Sequence, residues 1–170
     1  MPEEPSLNAT AIVSALNKHG VTYVVIGAFA AIAQRAPIAP TRDIDITPDR
    51  SRSNCERLSA ALSELQARVR TQSVPDGLAF NHDGASIQSV DVWNLTCPDG
   101  EFDISFGPAA FPEGFASLLS HAHRVRVGEV EILVADLDDV IRSKEAAGRP
   151  KDIQALPALY RHRDRRRRTR

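Results

Sequence analysis

The sequence predicts an α/β (α+β) domain, a small mixed β-sheet flanked by helices. Three observations predict it. Helical and strand periodicities alternate through residues 6–68. Residues 22–26 form a short continuous apolar run, which suits a strand covered on both faces. After residue 88, alternating apolar runs meet at glycine turns, as hairpins do, before helical patterning returns.

The elements follow in order. Residues 6–19 read as a helix, with Ser6 as cap, Leu7, Ala11, Ile12, Ala15 and Leu16 on one face, and Gly20 as its end. Residues 22–26 are the buried strand, Gly27 breaks it, and residues 28–35 look helical. Pro37 and Pro40 make a loop. Residues 43–47 alternate as a strand, with Ile44 and Ile46 on one face and Asp43, Asp45 and Thr47 on the other. Ser53 and Glu56 have capping-box spacing and open a helix to about residue 68. Pro75-Asp-Gly77 and Asp83-Gly84 read as turns between short strands. Residues 89–96 and 101–106 form a hairpin around Pro98-Asp-Gly100. Residues 107–114 are a loop. Residues 123–127 and 129–134 flank Gly128 as a second hairpin. Residues 136–147 form a helix ended by Gly148. Pro150 suits the first turn of a last helix toward Tyr160, which Pro157 should interrupt.

Residues 161–170 read RHRDRRRRTR, seven arginines against one aspartate, or +6. Subtracting from the whole chain leaves 14 Lys+Arg against 21 Asp+Glu in residues 1–160, or −7. The division is therefore one domain over residues 1–160 and a basic, disordered tail over 161–170. The tail suits nucleic acid, an acidic partner or a plain solvated end. No apolar run approaches the ~20 residues of a membrane-spanning helix. The acidic start of the chain lacks the regions of a secretory signal. Cys55 and Cys97 read as reduced thiols of a cytoplasmic protein, with no membrane partner.

Alternation puts Asp43 and Asp45 on one face, Cβ atoms roughly 7 Å apart. Such a pair fits either the charged edge of a sheet or a site for a hard divalent cation, held by carboxylates and substrate phosphates. Asp103 has the same setting, with Phe102, Ile104 and Phe106 facing the other way. If its strand neighbours residues 43–47, three aspartates converge; otherwise it is the wet face of a hairpin. Asp91 competes for that role but stands close to the bulky Trp93. Gly27 follows a buried strand and opens a helix, where backbone N–H groups can approach a phosphate; a plain turn reads the same way.

The stretch YVVIGAFAAIAQRAPIAPTRDIDIT resembles the signature of the DNA polymerase β-like nucleotidyltransferases: apolar strand, glycine with a small residue, helix, then Asp-x-Asp. Its T-R-D-I-D-I form is similar to the toxin branch of AbiEii and mycobacterial MenT-type proteins, members of toxin–antitoxin systems. DLDDVIRSKEAAGRPKDIQALPAL resembles the lysine-rich helical motif of that branch. The resemblance covers about a third of the chain. It implies a nucleotidyltransferase fold and transfer of a nucleoside monophosphate from an NTP to RNA, at the tRNA 3′ end, halting translation. It implies that Asp43, Asp45 and Asp103 hold Mg²⁺, two ions in all, with Asp103 as a further ligand or base. Gly27 and Ala28 would cradle phosphates through the backbone, since Ala28 lacks the hydroxyl that many relatives carry. Lys144, Arg149 and Lys151 would face the triphosphate. Arg42 would hold substrate or pair with Asp136, and Asp152 would orient a lysine or contact the base. A cognate antitoxin is implied as partner, and Thr41, beside the phosphate site, is a candidate regulatory phosphosite.

Other readings keep part of this. Related minimal enzymes attach AMP to protein side chains. A non-catalytic module binding nucleic acid or a partner would use the tail alone. A histidine-based hydrolase would rest on His121 and His123, which lie close together on a strand but have no obvious metal partners.

Overall fold

The computed structural model describes residues 6–170. The elements are α1 (Ala9–Lys18), β1 (Tyr23–Ile26), α2 (Gly27–Ala33), β2 (Asp43–Pro48), α3 (Arg52–Glu64), β3 (Arg68–Val69), α4 (Gly84–Gln88), β4 (Val92–Cys97), β5 (Gly100–Ser105), α5 (Phe115–Leu119), β6 (His123–Val127), β7 (Val130–Val134), α6 (Leu137–Ala147) and α7 (Pro150–Arg168). The strands form one mixed sheet in the order β3-β4-β5-β2-β1-β7-β6. This is the predicted class.

The middle of the sheet carries the core. Val24 and Val25 of β1, Ile44 and Ile46 of β2, and Phe102 and Ile104 of β5 are fully buried. Ile12, Val13 and Leu16 of α1 and Leu58 and Leu62 of α3 are buried with them. Each such side chain contributes about 1.5–3 kcal/mol by leaving water. The burial anchors β2 and β5 through their apolar faces, so the alternate face, with its aspartates, is held rigidly.

Local chemistry moved several predicted boundaries. Asn8, not Ser6, caps α1: its side chain accepts from the Ala11 N–H, and its own N–H donates to Asp99 O at 2.7 Å. Ser51, not Ser53, caps α3 by accepting from the Asn54 N–H. Asn54 then lies inside the helix, where its side chain pairs with both polar backbone atoms of Thr22 and with the Asp49 carbonyl. That helix stops at Glu64, because Arg68 and Val69 pair with Thr96 and Leu95 at the sheet edge. The turn predicted at Asp83-Gly84 is the capping box of α4.

The largest correction is at the C-terminus. Pro157 sits on the solvent side of α7, which continues to Arg168. Residues 161–168 are therefore helical rather than a disordered tail. Leu159 is fully buried, Arg166 donates to Gln34 Oε1, and Arg163 and Arg167 pair with Asp138. These contacts outweigh the roughly 3 kcal/mol that an interior proline costs a helix. Among the described residues, no helix is long and apolar enough to cross a membrane.

Candidate active site

β1 ends at Ile26 and the chain turns at once into α2 through Gly27, whose φ is +69°. A Cβ at this position would lie 2.5 Å from Asp45 Oδ2. Glycine is thus needed twice, for the left-handed backbone and for the close approach of a carboxylate. Antiparallel β1–β2 pairing sets Ile26 opposite Asp45, and parallel β2–β5 pairing sets Asp45 opposite Asp103. Asp43, Asp45 and Asp103 consequently converge, each offering a carboxylate oxygen within 4.8 Å of the others.

Concentrating three carboxylates has an electrostatic consequence. Burial, followed by the charges of Asp43 and Asp103, pushes Asp45 up to about 7, against the pull of Lys151 and Arg149. Burial also raises Asp103, which Arg70 holds back. The Arg70 guanidinium donates to Asp103 Oδ1 at 2.8 Å and lies 3.6 Å from Glu101. The Thr41 hydroxyl donates to Asp43 Oδ1 at 2.7 Å and fixes that side chain. An all-oxygen set whose members resist ionising together fits a hard divalent cation, which relieves the repulsion.

The cluster lines a cavity of about 460 Å³. Gly27, Ala28 and Thr41 stand on its sheet side with the three aspartates; Lys144, Arg149, Lys151 and Asp152 close it from α6, α7 and their junction. Ile38, Pro40, Val92, Pro108 and Val140 add apolar wall.

The four polar residues from the helices differ in what they offer. Lys144 is buried and donates to Asp152 at 3.2 Å. Arg149 Nε donates to the same carboxylate at 2.8 Å. Burial works against the Asp152 charge, but bonds from Arg149 and Lys144 prevail and hold it below the usual range. Lys144 is therefore neutralised and structural in setting, while Lys151 is exposed and acts electrostatically on Asp45. Arg42 is exposed and does not line the cavity. Asp136 caps α6 and bonds His123.

Asp91 is not among the residues of the cluster or the cavity lining and pairs with Arg50. His121 and His123 go to different carboxylates, Asp139 and Asp136, and do not converge. Both cysteines are unpaired and buried, and burial raises their thiols, which makes them poor nucleophiles. Sequence reasoning missed Arg70. It lies in a stretch without usable periodicity, and only β3–β4 pairing brings it to the cluster.

No protein-family model and no curated protein matches the chain. Solved structures do. The chain is similar to the lincosamide antibiotic adenylyltransferase LnuA, with TM-score 0.60 and 12% identity over 91% of this chain and 98% of that one. It is similar to TM1012 of Thermotoga maritima, assigned as a nucleotidyltransferase, with TM-score 0.55 and 18% identity over 90% of each chain. The antibiotic-resistance factor ANT(2″)-Ia gives TM-score 0.56 and 14% identity over 88% of this chain and 79% of that one. The order of elements, the glycine turn and the paired strands carrying the aspartates thus belong to a chain with the nucleotidyltransferase fold.

Proposed function

We propose that the protein transfers a nucleoside monophosphate from an NTP to RNA, at the 3′ end of tRNA. In this reading it is the cytoplasmic toxin of a toxin–antitoxin pair and blocks translation. The observation that carries the transferase reading is the convergence of Asp43, Asp45 and Asp103 across a cavity from Lys151 and Arg149. The basic surface of α7 supports a polyanionic acceptor, which the acidic remainder of the chain would repel.

Asp43, Asp45 and Asp103 would hold the divalent cations. Bound there, Mg²⁺ supplies charge neutralisation for the triphosphate and for the pyrophosphate that leaves. Thr41 and Arg70 keep two of the carboxylates aimed. Lys151, with Arg149 beside it, favours the triphosphate on the opposite wall. The acceptor hydroxyl oxygen bonds to the α-phosphorus, the bond to the β-phosphate bridging oxygen breaks, and Asp103 receives the hydroxyl proton. Phosphorylation of Thr41 by an antitoxin would remove its hydroxyl bond to Asp43 and add about −1.5 to −2 charge beside the cluster, disfavouring NTP.

A second reading changes the acceptor to a small hydroxylated molecule. The likeness to LnuA and to ANT(2″)-Ia, solved with adenylyl-2″-tobramycin, favours it. One experiment separates the possibilities. The protein and an Asp43→Ala/Asp45→Ala variant are incubated with Mg²⁺ and each labelled NTP, together with total RNA, cell protein or an aminoglycoside and lincosamide mixture. Label on tRNA-sized RNA with the unaltered protein alone is expected. Label on protein would instead indicate AMP transfer, and label on the drugs the small-molecule reading. Equal signal from the double variant would remove the site assignment.

A further inference from the structure

A second cavity, of about 410 Å³, lies at the other end of the helices that frame the first. α2 reaches the catalytic cavity with Gly27 and Ala28, and the second cavity with Gln34 and Arg35, which immediately follow it. α7 reaches them with Lys151 and Asp152 and with His162 and Arg166. Arg124 of β6 completes the wall, and among the described residues no carboxylate lines it.

Two of its arginines are set out for an anion. Arg166 donates to Gln34 Oε1 at 3.2 Å, a neutral amide, and acts on the Asp136 carboxylate only through space, with no ion pair to it among the described residues. Gln34 is itself fixed: only 9% exposed, it donates to the carbonyls of Ala30 at 3.0 Å and Ala135 at 2.8 Å. The ring of His162 bonds the Gln34 carbonyl at 3.0 Å from the same helix face as Arg166. Arg35 is exposed and has no ion pair or side-chain hydrogen bond among the described residues. It also occupies φ +66° just past the end of α2, a position that favours glycine. The arginine there carries a backbone cost of about 1 kcal/mol. Arg124 adds positive surface, though it is paired with Glu131. Arg161, Arg165 and Arg168 form an exposed row on the adjoining face of α7 and extend the charge beyond the cavity.

The geometry points to a backbone-phosphate site for the acceptor RNA, in which Arg35 and Arg166 grip one phosphate while its 3′ end lies among the aspartates. At 1.5 Å per residue the two cavities are about 10 Å apart along α2, from Ala28 to Arg35, and about 15–20 Å apart along α7, from Asp152 to His162 and Arg166. That range corresponds to roughly three to six nucleotides of a stacked strand. The extended arginine row favours a phosphodiester chain over a lone phosphate. The inference deepens the RNA reading and rests on it for its ligand.

The test uses the full chain with Arg35→Gly and with Arg35→Gly/Arg166→Ala. Arg35→Gly relieves the left-handed backbone, so it keeps or raises the melting temperature while deleting the charge. Binding of a labelled single-stranded oligouridylate is followed by fluorescence anisotropy across salt, beside binding of Mg²⁺ with a fluorescent NTP. For the double variant, affinity for the oligonucleotide should fall about tenfold, and the slope of log K against log salt should shrink by about 0.7 for each phosphate no longer neutralised. NTP binding should be unchanged. A uridine dinucleotide, too short to reach the second cavity, should bind both proteins alike. Unchanged oligonucleotide binding in the folded double variant overturns the site. So does a loss that is equal for the dinucleotide. Pyrophosphate binding that depends on Arg35 while oligonucleotide binding does not would assign the cavity to a small anion and overturn it as well. These are binding measurements, so absence of transfer to RNA with an intact Arg35 effect would defeat the proposed reaction and leave the RNA site standing.

Discussion

Asp45 is held in a setting that opposes its own ionisation. Its pKa is raised to about 7, above the ordinary carboxylate value of 3.8. A group raised in the folded state supports stability below its unfolded pKa and loses that support as pH climbs through the folded one. The metal-free protein should therefore lose stability between about pH 4 and pH 7 from this residue. Asp45→Asn should raise the metal-free melting temperature by several degrees at pH 8, with little change at pH 4, while abolishing transfer. Thermal scans at both pH values check this, and an unaltered melting temperature at pH 8 would contradict the penalty that burial and the neighbouring carboxylates place on the Asp45 charge. Mg²⁺ should likewise stabilise the unaltered protein more at pH 8 than at pH 5. Gly27→Ala tests the same contact from the other side. Its methyl group would enter the space of Asp45 Oδ2 at a left-handed φ. The expected result is a loss of at least about 1 kcal/mol in stability, with sharply weaker Mg²⁺-dependent stabilisation. Asp43 and Asp45 were legible as a pair because strand alternation places them on one face. Arg70 was not, because nothing local in its stretch signals that its side chain ends at Asp103.

At the scale of elements, the α6–α7 junction is held by one buried carboxylate serving two cations. Asp152 is fully buried between Lys144 and Arg149. Replacing it by asparagine leaves the buried Lys144 ammonium uncompensated, at a cost of about 3–5 kcal/mol. Urea unfolding measures this, and a cost below about 1 kcal/mol would show that water already reaches Lys144. α7 holds a second test. Pro157 is interior to the helix and exposed, so Pro157→Ala should stabilise by about 1–3 kcal/mol. No gain would mean that the helix had already absorbed the missing hydrogen bond by bending. The sequence marked this helix as far as Tyr160 and read Pro157 as an interruption. Local propensity is a weak prior, and the packing of Leu159, Arg163 and Arg166 overrode it.

For the whole molecule, charge is divided unevenly, +6 in residues 161–170 against −7 in the rest. Because α7 covers Gln34 with His162 and Arg166, deleting residues 161–170 would remove packing together with charge. Charge substitution on the exposed row is the cleaner probe. Arg161→Gln/Arg165→Gln/Arg168→Gln should weaken RNA binding and flatten its salt dependence, by about 0.7 in slope for each phosphate that an arginine had neutralised, with NTP binding intact. Equal affinity across salt would remove this exposed row of α7 from the RNA surface. The sequence by itself determined the class of fold, most element positions, the two-aspartate strand and the glycine before α2. These follow from local rules: period-two alternation, helix periodicity and the conformational freedom of glycine. Tertiary structure alone decided that β5 runs parallel beside β2, which turns Asp103 from the wet face of a hairpin into the third member of a cluster. It also decided that Lys144 is spent on Asp152, that Arg70 reaches Asp103, and that the arginine-rich end is a packed helix. Each of these rests on an interaction between residues far apart in the chain or on different elements. Its energy comes from desolvation and charge pairing in the folded state and leaves no periodic trace in the sequence.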